Sequence, residues 1–212
     1  MELVGGAFSP DPGVVERSPR AGQEPCFLEL WKGTEQEDPE TVRRRARVEA
    51  FSRRLTRVTD FLWQSGIPGA QEERQLARCG ITHVLSLLCE DEMKTLKLSP
   101  RVASLRIQMA DSCAEPVYPV LVQALAFIRE AAQAGGVVLV HCSQGVSRSS
   151  VVVIAYLERY FGLTFAEALE YLKSTRPVVA PNAHFSSVLQ EYGARLRNTD
   201  EQKATMEKIR ST

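Results

Sequence analysis

The sequence of 212 residues lacks any pair of cysteines separated by only two residues, and its five cysteines are widely spaced. It also contains only three histidines. This set matches neither a disulfide framework nor a zinc site, because both need ligands at short, regular spacings. We therefore expect reduced cysteines in an intracellular protein, and no bound metal.

An excess of charge of either sign is also missing, since 26 Lys and Arg balance 26 Asp and Glu. A balanced chain has no overall attraction for nucleic acid or for an anionic membrane. No apolar run is long enough to span a membrane, and the first residues lack the basic-then-apolar order of a secretory signal. We therefore expect a cytoplasmic protein, with the nucleus as a second candidate compartment, and no nucleic-acid partner.

Three segments differ in composition. Residues 1–56 form an N-terminal extension, whose first part, to about residue 37, is rich in Gly, Pro, Ser and Glu and predicts loop or disorder. Residues 57–198 form the predicted globular domain. Residues 199–212 form a polar C-terminal tail that we expect to be mobile.

The end of the extension predicts an Arg-rich helix. Asp38 is a candidate N-cap and Pro39 a candidate first helical residue. Seven arginines lie between Thr41 and Arg57. A solvated helix face is the simpler interpretation, and docking to an acidic groove or nuclear import is the alternative.

Apolar runs and helical periods alternate from Arg57 onward. This alternation predicts an α/β domain with a mostly parallel central sheet flanked by helices. Ligands of such sheets bind beyond the carboxyl ends of the strands. The predicted strands are Val58–Gln64, Ile81–Leu88, Leu105–Met109 and Val137–Val140; the predicted helices are Gly69–Cys79, Val117–Ala134, Ser149–Phe161, Thr164–Ser174 and Asn182–Arg197.

The junction after Val140 carries the chemistry. The wholly apolar run before it is typical of a strand buried on both faces. A short loop that contains Gly145 then enters a helix, so that several backbone N–H groups converge on one point and form an anion site. Cys142 lies at the mouth of this loop, where the helix N-terminus and a nearby cation favour a reactive thiolate. Arg148 offers a planar fork that fits two phosphate oxygens.

These residues belong to segments that resemble the dual-specificity phosphatases of the protein-tyrosine-phosphatase superfamily. The segments read VVLVHCSQGVSRSSVVVIAYLERYFGLTFAEALEYLKSTRPVVAPNAHF, GITHVLSL and LRIQMADS, and the resemblance spans roughly Arg57 to Arg197. One departure lies at Leu62–Gly66, which reads LWQSG where the family usually has LYLGS. We expect the edge of the first strand to differ there.

The resemblance implies a role for each matching residue. Cys142 matches the nucleophile, Arg148 the phosphate-binding arginine, and Asp111 the general acid on a mobile loop. Ser149 matches the hydroxyl that helps the thiolate to leave in the second step. His141 and Asn182 match residues that support the phosphate loop. The loop residues expected to bind the phosphate are Ser143, Gln144, Gly145, Val146, Ser147 and Arg148.

The implied activity is hydrolysis of phosphotyrosine and phosphoserine/threonine monoesters through a phosphocysteine intermediate, without metal or cofactor. The implied partner is a phosphoprotein, with mitogen-activated protein kinases as candidates because they are common targets of the family. Two alternatives stay open. One is a catalytically weak phosphate-binding interaction module, and the other is a phosphatase for an RNA end, a phosphoglycan or a phosphoinositide.

Cys89 is a candidate redox partner of Cys142, because some lipid-phosphatase relatives place a cysteine there that traps the oxidised nucleophile as a disulfide. The simpler interpretation is a small core residue.

Overall fold

The computed structural model describes residues 37–210, with side chains for residues 37–199. Most of the N-terminal segment predicted to be loop or disorder lies outside the described residues. Helices and strands alternate along the described part. They are α1 (Pro39–Arg53), β1 (Thr56–Arg57), β2 (Leu62–Gly66), α2 (Ile67–Ala70), α3 (Glu73–Arg78), β3 (His83–Leu88), α4 (Glu90–Thr95), β4 (Ala103–Gln108), α5 (Val117–Gln133), β5 (Val138–Cys142), α6 (Arg148–Phe161), α7 (Phe165–Thr175) and α8 (Ala183–Arg210).

A five-stranded sheet has the order β1-β2-β5-β3-β4. β2, β5, β3 and β4 are parallel, and β1 runs antiparallel to its neighbour β2. The predicted α/β class and mostly parallel sheet are therefore confirmed. The central position of β5 brings the carboxyl end of β2 to one side of Cys142 and that of β3 to the other.

β5 is buried on both faces, as its apolar sequence predicts. Val138, Val140 and Cys142 face a large apolar cluster that includes residues of α5, α6 and α8. Leu139 faces a smaller cluster on the other side, which includes residues of α2 and α3. The strand that ends in Cys142 is thus fixed from both sides.

Two predicted elements differ from the structure. The strand expected over Val58–Gln64 starts only at Leu62, because the backbone N–H groups of Val58 and Thr59 both donate to Leu62 O, at 2.8 and 3.0 Å, and close a turn between β1 and β2. The single helix expected over Gly69–Cys79 is two short helices, α2 and α3. Gln75 of α3 binds the end of α1 through Leu55 N and Arg53 O, at 2.8 and 3.1 Å, which fixes α3 separately from α2.

Two helices extend beyond what the sequence predicts. α4 follows β3 directly and had no predicted counterpart. α8 continues to Arg210, into the tail that was expected to be mobile from Thr199, because no Gly or Pro interrupts the chain between Gly193 and Arg210. The Asp38 cap of α1 is confirmed, since its carboxylate accepts hydrogen bonds from Glu40 N and Thr41 N. No helix in the described part of the chain is long and apolar enough to cross a membrane.

Glu158 is a buried acid between α6 and α8. Neither of its carboxylate oxygens has a hydrogen-bond partner among the described residues. It occupies the space beside Gly193, where any Cβ would collide with the carboxylate. Burial raises the pKa of Glu158 from 4.5 to about 8, although Arg197 opposes the shift. Because folding favours the neutral carboxyl, this group reduces stability as pH rises from 4.5 through about 8.

We predict that Glu158→Gln stabilises the protein at alkaline pH. The free energy of unfolding should rise by about 2–4 kcal/mol near pH 8 and change little near pH 4, because the wild-type carboxyl is mostly protonated in both states at the lower pH. Urea unfolding at the two pH values measures the difference. Glu170→Gln, at an exposed position of α7, is the control. An unchanged or lower stability of Glu158→Gln near pH 8 would contradict the assignment.

Candidate active site

The loop between β5 and α6 is the centre of the site. It starts after Cys142 and ends where Arg148 begins α6. Gly145 has a φ of +70°, and a Cβ there would collide with the Ser65 carbonyl and the Arg176 guanidinium. Only glycine fits this position, which explains the residue predicted to turn the loop.

The carbonyl oxygens of the loop are bound by groups outside it. Ser143 O accepts from Ile67 N at 2.9 Å, and Val146 O accepts from Ala180 N at 3.0 Å. Gln144 O and Gly145 O accept from Arg176, at 3.2 and 2.7 Å. Because the carbonyls turn outward, the loop can direct its N–H groups inward, as an anion site requires.

Arg176 is a residue that the sequence analysis missed. It is fully buried, and its guanidinium also donates to Phe51 O at 2.8 Å and to Thr56 Oγ1 at 3.0 Å. Burial lowers the pKa of Arg176 to about 10, so it still carries its charge at neutral pH. One side chain therefore joins the loop to the end of α1 and to β1.

Cys142 lies at the floor of the loop and is buried. Gly145 N donates to its Sγ at 3.2 Å, and Ser149 Oγ lies 3.4 Å from the same atom. The Gly145 N–H is a donor to the sulfur, whereas the Ser149 hydroxyl can accept from a thiol or donate to a thiolate. The structure thus places Ser149, Gly145 and Cys142 together, as the sequence predicts.

Arg148 enters the site from the first turn of α6 and is held by Glu92. Its Nη1 and Nη2 donate to the two carboxylate oxygens of Glu92, at 2.6 and 3.0 Å, and Nη1 also donates to Met109 O at 3.3 Å. Its Nε is buried and has no partner among the described residues. A buried guanidinium whose Nε–H is without a partner is therefore fixed beside the loop and can bind an anion.

Glu92 was also missed, because it lies on the unpredicted helix α4. The signal available was the acidic run Glu90-Asp91-Glu92 shortly after β3, at the carboxyl edge of the sheet. Burial opposes the ionisation of Glu92, but hydrogen bonds from Arg148 and Cys89 N lower its pKa to about 2. The ion pair with Arg148 therefore persists over the whole physiological pH range.

Asp111 lies on the segment after β4 and is bound to the loop. Its Oδ1 accepts from Ser147 Oγ and from Asn182 Nδ2, each at 2.9 Å. Asn182 Oδ1 in turn accepts from Phe185 N at 2.8 Å, which anchors it to the start of α8. The structure thus brings Asp111, Ser147 and Asn182 together, and Asn182 contacts the acid rather than the backbone of the loop.

His141 lies behind the loop and is fully buried. Its Nε2 is hydrogen-bonded to Ser86 Oγ at 2.7 Å, and its Nδ1 lies 3.3 Å from Cys142 O. Burial lowers the pKa of His141 to about 4, so the ring is neutral at physiological pH. This position fits the supporting role that the family resemblance implies.

The remaining loop residues differ in exposure. Gln144 is exposed, Ser143 and Val146 are half-buried, and the hydroxyl of Ser147 is occupied by Asp111. Cys89 follows β3 as a free thiol, and burial raises its pKa. Its role as a redox partner of Cys142 stays a prediction. Among the described residues, no group of three or more His, Cys, Asp or Glu is arranged to hold a metal ion.

A free, buried cysteine at the floor of a loop whose carbonyls are bonded outward, with a fixed arginine and an aspartate bound beside it, is the arrangement expected of a cysteine-dependent phosphatase fold. Comparison with known proteins supports this assignment. Residues 62–195 match the family model described as the dual specificity phosphatase catalytic domain. The chain belongs to the dual-specificity phosphatase family.

Known relatives cover much of the chain. Human dual specificity phosphatase 28 is 39% identical over 138 residues, which are 65% of this chain and 77% of that protein. Mouse dual specificity protein phosphatase 15 is 34% identical over 139 residues, 66% of this chain and 57% of the relative. The crystal structure of human DUSP28 superposes with a TM-score of 0.63 at 38% identity, covering 68% of this chain and 95% of the other.

We predict that Glu92→Gln destabilises the protein, because it leaves the buried charge of Arg148 without its counter-ion. The free energy of unfolding at pH 7 should fall by about 2–4 kcal/mol. Because the folded state depresses the pKa of Glu92, the carboxylate stabilises the folded state above pH 4.5, and this stabilisation is lost as pH falls through about 2. The difference between variant and wild type should therefore shrink over that range.

Chemical unfolding followed by tryptophan fluorescence measures both effects. Glu90→Gln is the matched control, since Glu90 lies on the same helix and pairs with the exposed Lys94. Equal stabilities of Glu92→Gln and Glu90→Gln at pH 7 would show that the ion pair does not hold Arg148.

Proposed function

We propose that this protein hydrolyses phosphate monoesters of phosphoproteins, on both tyrosine and serine/threonine, through a phosphocysteine formed on Cys142. The observation that carries the proposal is the loop whose carbonyls are held outward, with a buried sulfur at its floor. The outward carbonyls leave the loop N–H groups to face inward, and together with the free Nε of Arg148 these would supply donors for the three non-bridging phosphate oxygens.

In the first step, the Cys142 thiolate attacks phosphorus and the bond to the ester oxygen breaks. Asp111 gives that oxygen a proton, so the dephosphorylated product leaves as a neutral alcohol or phenol. Its position supports this role, because Ser147 and Asn182 hold one carboxylate oxygen and leave Oδ2 without a hydrogen-bond partner among the described residues.

In the second step, water attacks the phosphocysteine and Asp111 takes its proton. The P–S bond breaks and the electron pair returns to sulfur. The hydroxyl of Ser149, 3.4 Å from Cys142 Sγ, can then stabilise the departing thiolate. A mitogen-activated protein kinase is a candidate substrate, proposed on family membership alone.

The second candidate is a phosphate-binding interaction module. It is favoured by the similarity to the frog serine/threonine/tyrosine-interacting protein B, 36% identical over 121 residues, which are 56% of this chain and 54% of the relative. The presence of Cys142, Arg148 and Asp111 in one site argues for the phosphatase.

We predict that Cys142→Ser abolishes release of phosphate from phosphotyrosine and phosphoserine/threonine peptides, because serine is a far poorer nucleophile here. Asp111→Asn should reduce turnover of alkyl phosphates by about 10²-fold or more, since their leaving oxygen needs a proton. Phosphate release from a peptide panel measures both effects. Asp60→Asn, at an exposed turn, is the control for a lost carboxylate.

Three outcomes would contradict parts of the proposal. Intact alkyl-phosphate turnover in Asp111→Asn would place the acid elsewhere. A wild type that binds phosphopeptides as Cys142→Ser does, without releasing phosphate, would favour the interaction module. Release of phosphate from phosphotyrosine peptides alone would contradict the proposed dual specificity.

A further inference from the structure

Gln64 lies beneath the phosphate loop where the family usually has leucine. It is fully buried on β2, paired with Val140 of β5. Its Nε2 donates to Ser149 Oγ at 2.8 Å, to Ser150 Oγ at 3.0 Å, and more weakly to Gly145 O at 3.4 Å. Burying an amide costs free energy unless its polar atoms form hydrogen bonds. A glutamine in place of the usual leucine therefore indicates that the side-chain amide has a role at this position.

The surrounding groups fix the direction of this amide. Ser150 Oγ donates its hydrogen to Val146 O at 2.7 Å, so it can only accept from Gln64. Gly145 O is an acceptor only. Both therefore require N–H groups, so Nε2 faces the loop and Oε1 stays without a partner among the described residues.

Ser149 has one hydroxyl hydrogen and two places to direct it. A helical serine commonly donates to the carbonyl four residues earlier, as Ser150 does to Val146 O. The equivalent acceptor for Ser149 is Gly145 O, which already accepts from Arg176 Nε at 2.7 Å and from Gln64. Since Gln64 also donates to Ser149 Oγ, the Ser149 hydrogen is left for Cys142 Sγ, 3.4 Å away, whenever the sulfur is a thiolate and can only accept.

We propose that Gln64 is a positioning residue that directs the Ser149 hydroxyl hydrogen to Cys142 Sγ and so assists departure of the thiolate from the phosphocysteine. This inference rests on the proposed function. Gln64 does not touch the phosphoryl group or the leaving oxygen of the substrate. Its contribution therefore falls on the second step, in which the P–S bond breaks and its electron pair returns to sulfur.

The test uses Gln64→Met, which keeps the length of the side chain and removes the N–H groups. Breakdown of the phosphocysteine, followed by rapid quench, should slow by about 3- to 10-fold, the loss expected for one hydrogen bond. At a pH above the alkylation midpoints of both proteins, where Cys142 is ionised in each, the burst that reports its formation should keep its rate. The pH midpoint for alkylation of Cys142 by iodoacetate should also move upward, because the thiolate loses a donor.

A double-mutant cycle with Ser149→Ala separates positioning from packing. If Gln64 acts through Ser149, Gln64→Met should change neither breakdown nor alkylation in the Ser149→Ala background. Gln64→Leu, which restores the usual family residue, repeats the measurement if the methionine variant folds poorly. Thermal unfolding of each variant reports any loss of packing.

The inference is overturned if Gln64→Met lowers the unfolding temperature but leaves both breakdown and the alkylation midpoint unchanged. It is equally overturned if the full effect persists without the Ser149 hydroxyl. Should the wild type release no phosphate, the proposed function fails, and the alkylation measurement still decides whether Gln64 acts on Cys142 through Ser149.

Discussion

The outward bonding of the phosphate-loop carbonyls is the constraint on which the site depends. A short loop that must present several N–H groups to one point has to satisfy its carbonyls elsewhere, and buried carbonyls without partners are costly. Arg176 binds two of them, and backbone donors from α2 and from the segment before α8 bind two more. Since the guanidinium of Arg176 also holds Phe51 O and Thr56 Oγ1, the shape of the loop depends on the packing of α1 and β1.

The reactive groups are attached to this loop through separate paths. Burial of β5 on both faces fixes Cys142, and Gln64 reaches Ser149 from the neighbouring strand. Glu92, on helix α4 after strand β3, pairs with Arg148; β3 borders β5 on the side opposite β2. Asp111 is held through Ser147 of the loop itself. Each of these groups is thus positioned by contacts within the protein itself, as the proposed electrostatic stabilisation of a transition state would require.

The sequence predicts the parts of the site that lie close together in the chain. The apolar strand, Gly145, Cys142, Arg148 and Ser149 follow from periodicity and local chemistry, and the family resemblance adds Asp111. Three supporting contacts could not be predicted, because their partners are distant in sequence. Glu92 and Arg148 are 56 residues apart, Arg176 and Gly145 are 31, and Gln64 and Ser149 are 85. Each is a polar pair made only by tertiary packing, and short helices such as α4 carry too little periodicity to be detected.

The most direct test of this account is to find the phosphoryl group on the protein. Wild-type protein mixed with a phosphotyrosine peptide and quenched in acid within one turnover can be analysed by intact mass and peptide mapping. The account predicts one added phosphoryl group, located on Cys142 and absent from Cys142→Ser. Phosphate release without any phosphorylated intermediate, or a phosphoryl group on another residue, would contradict it.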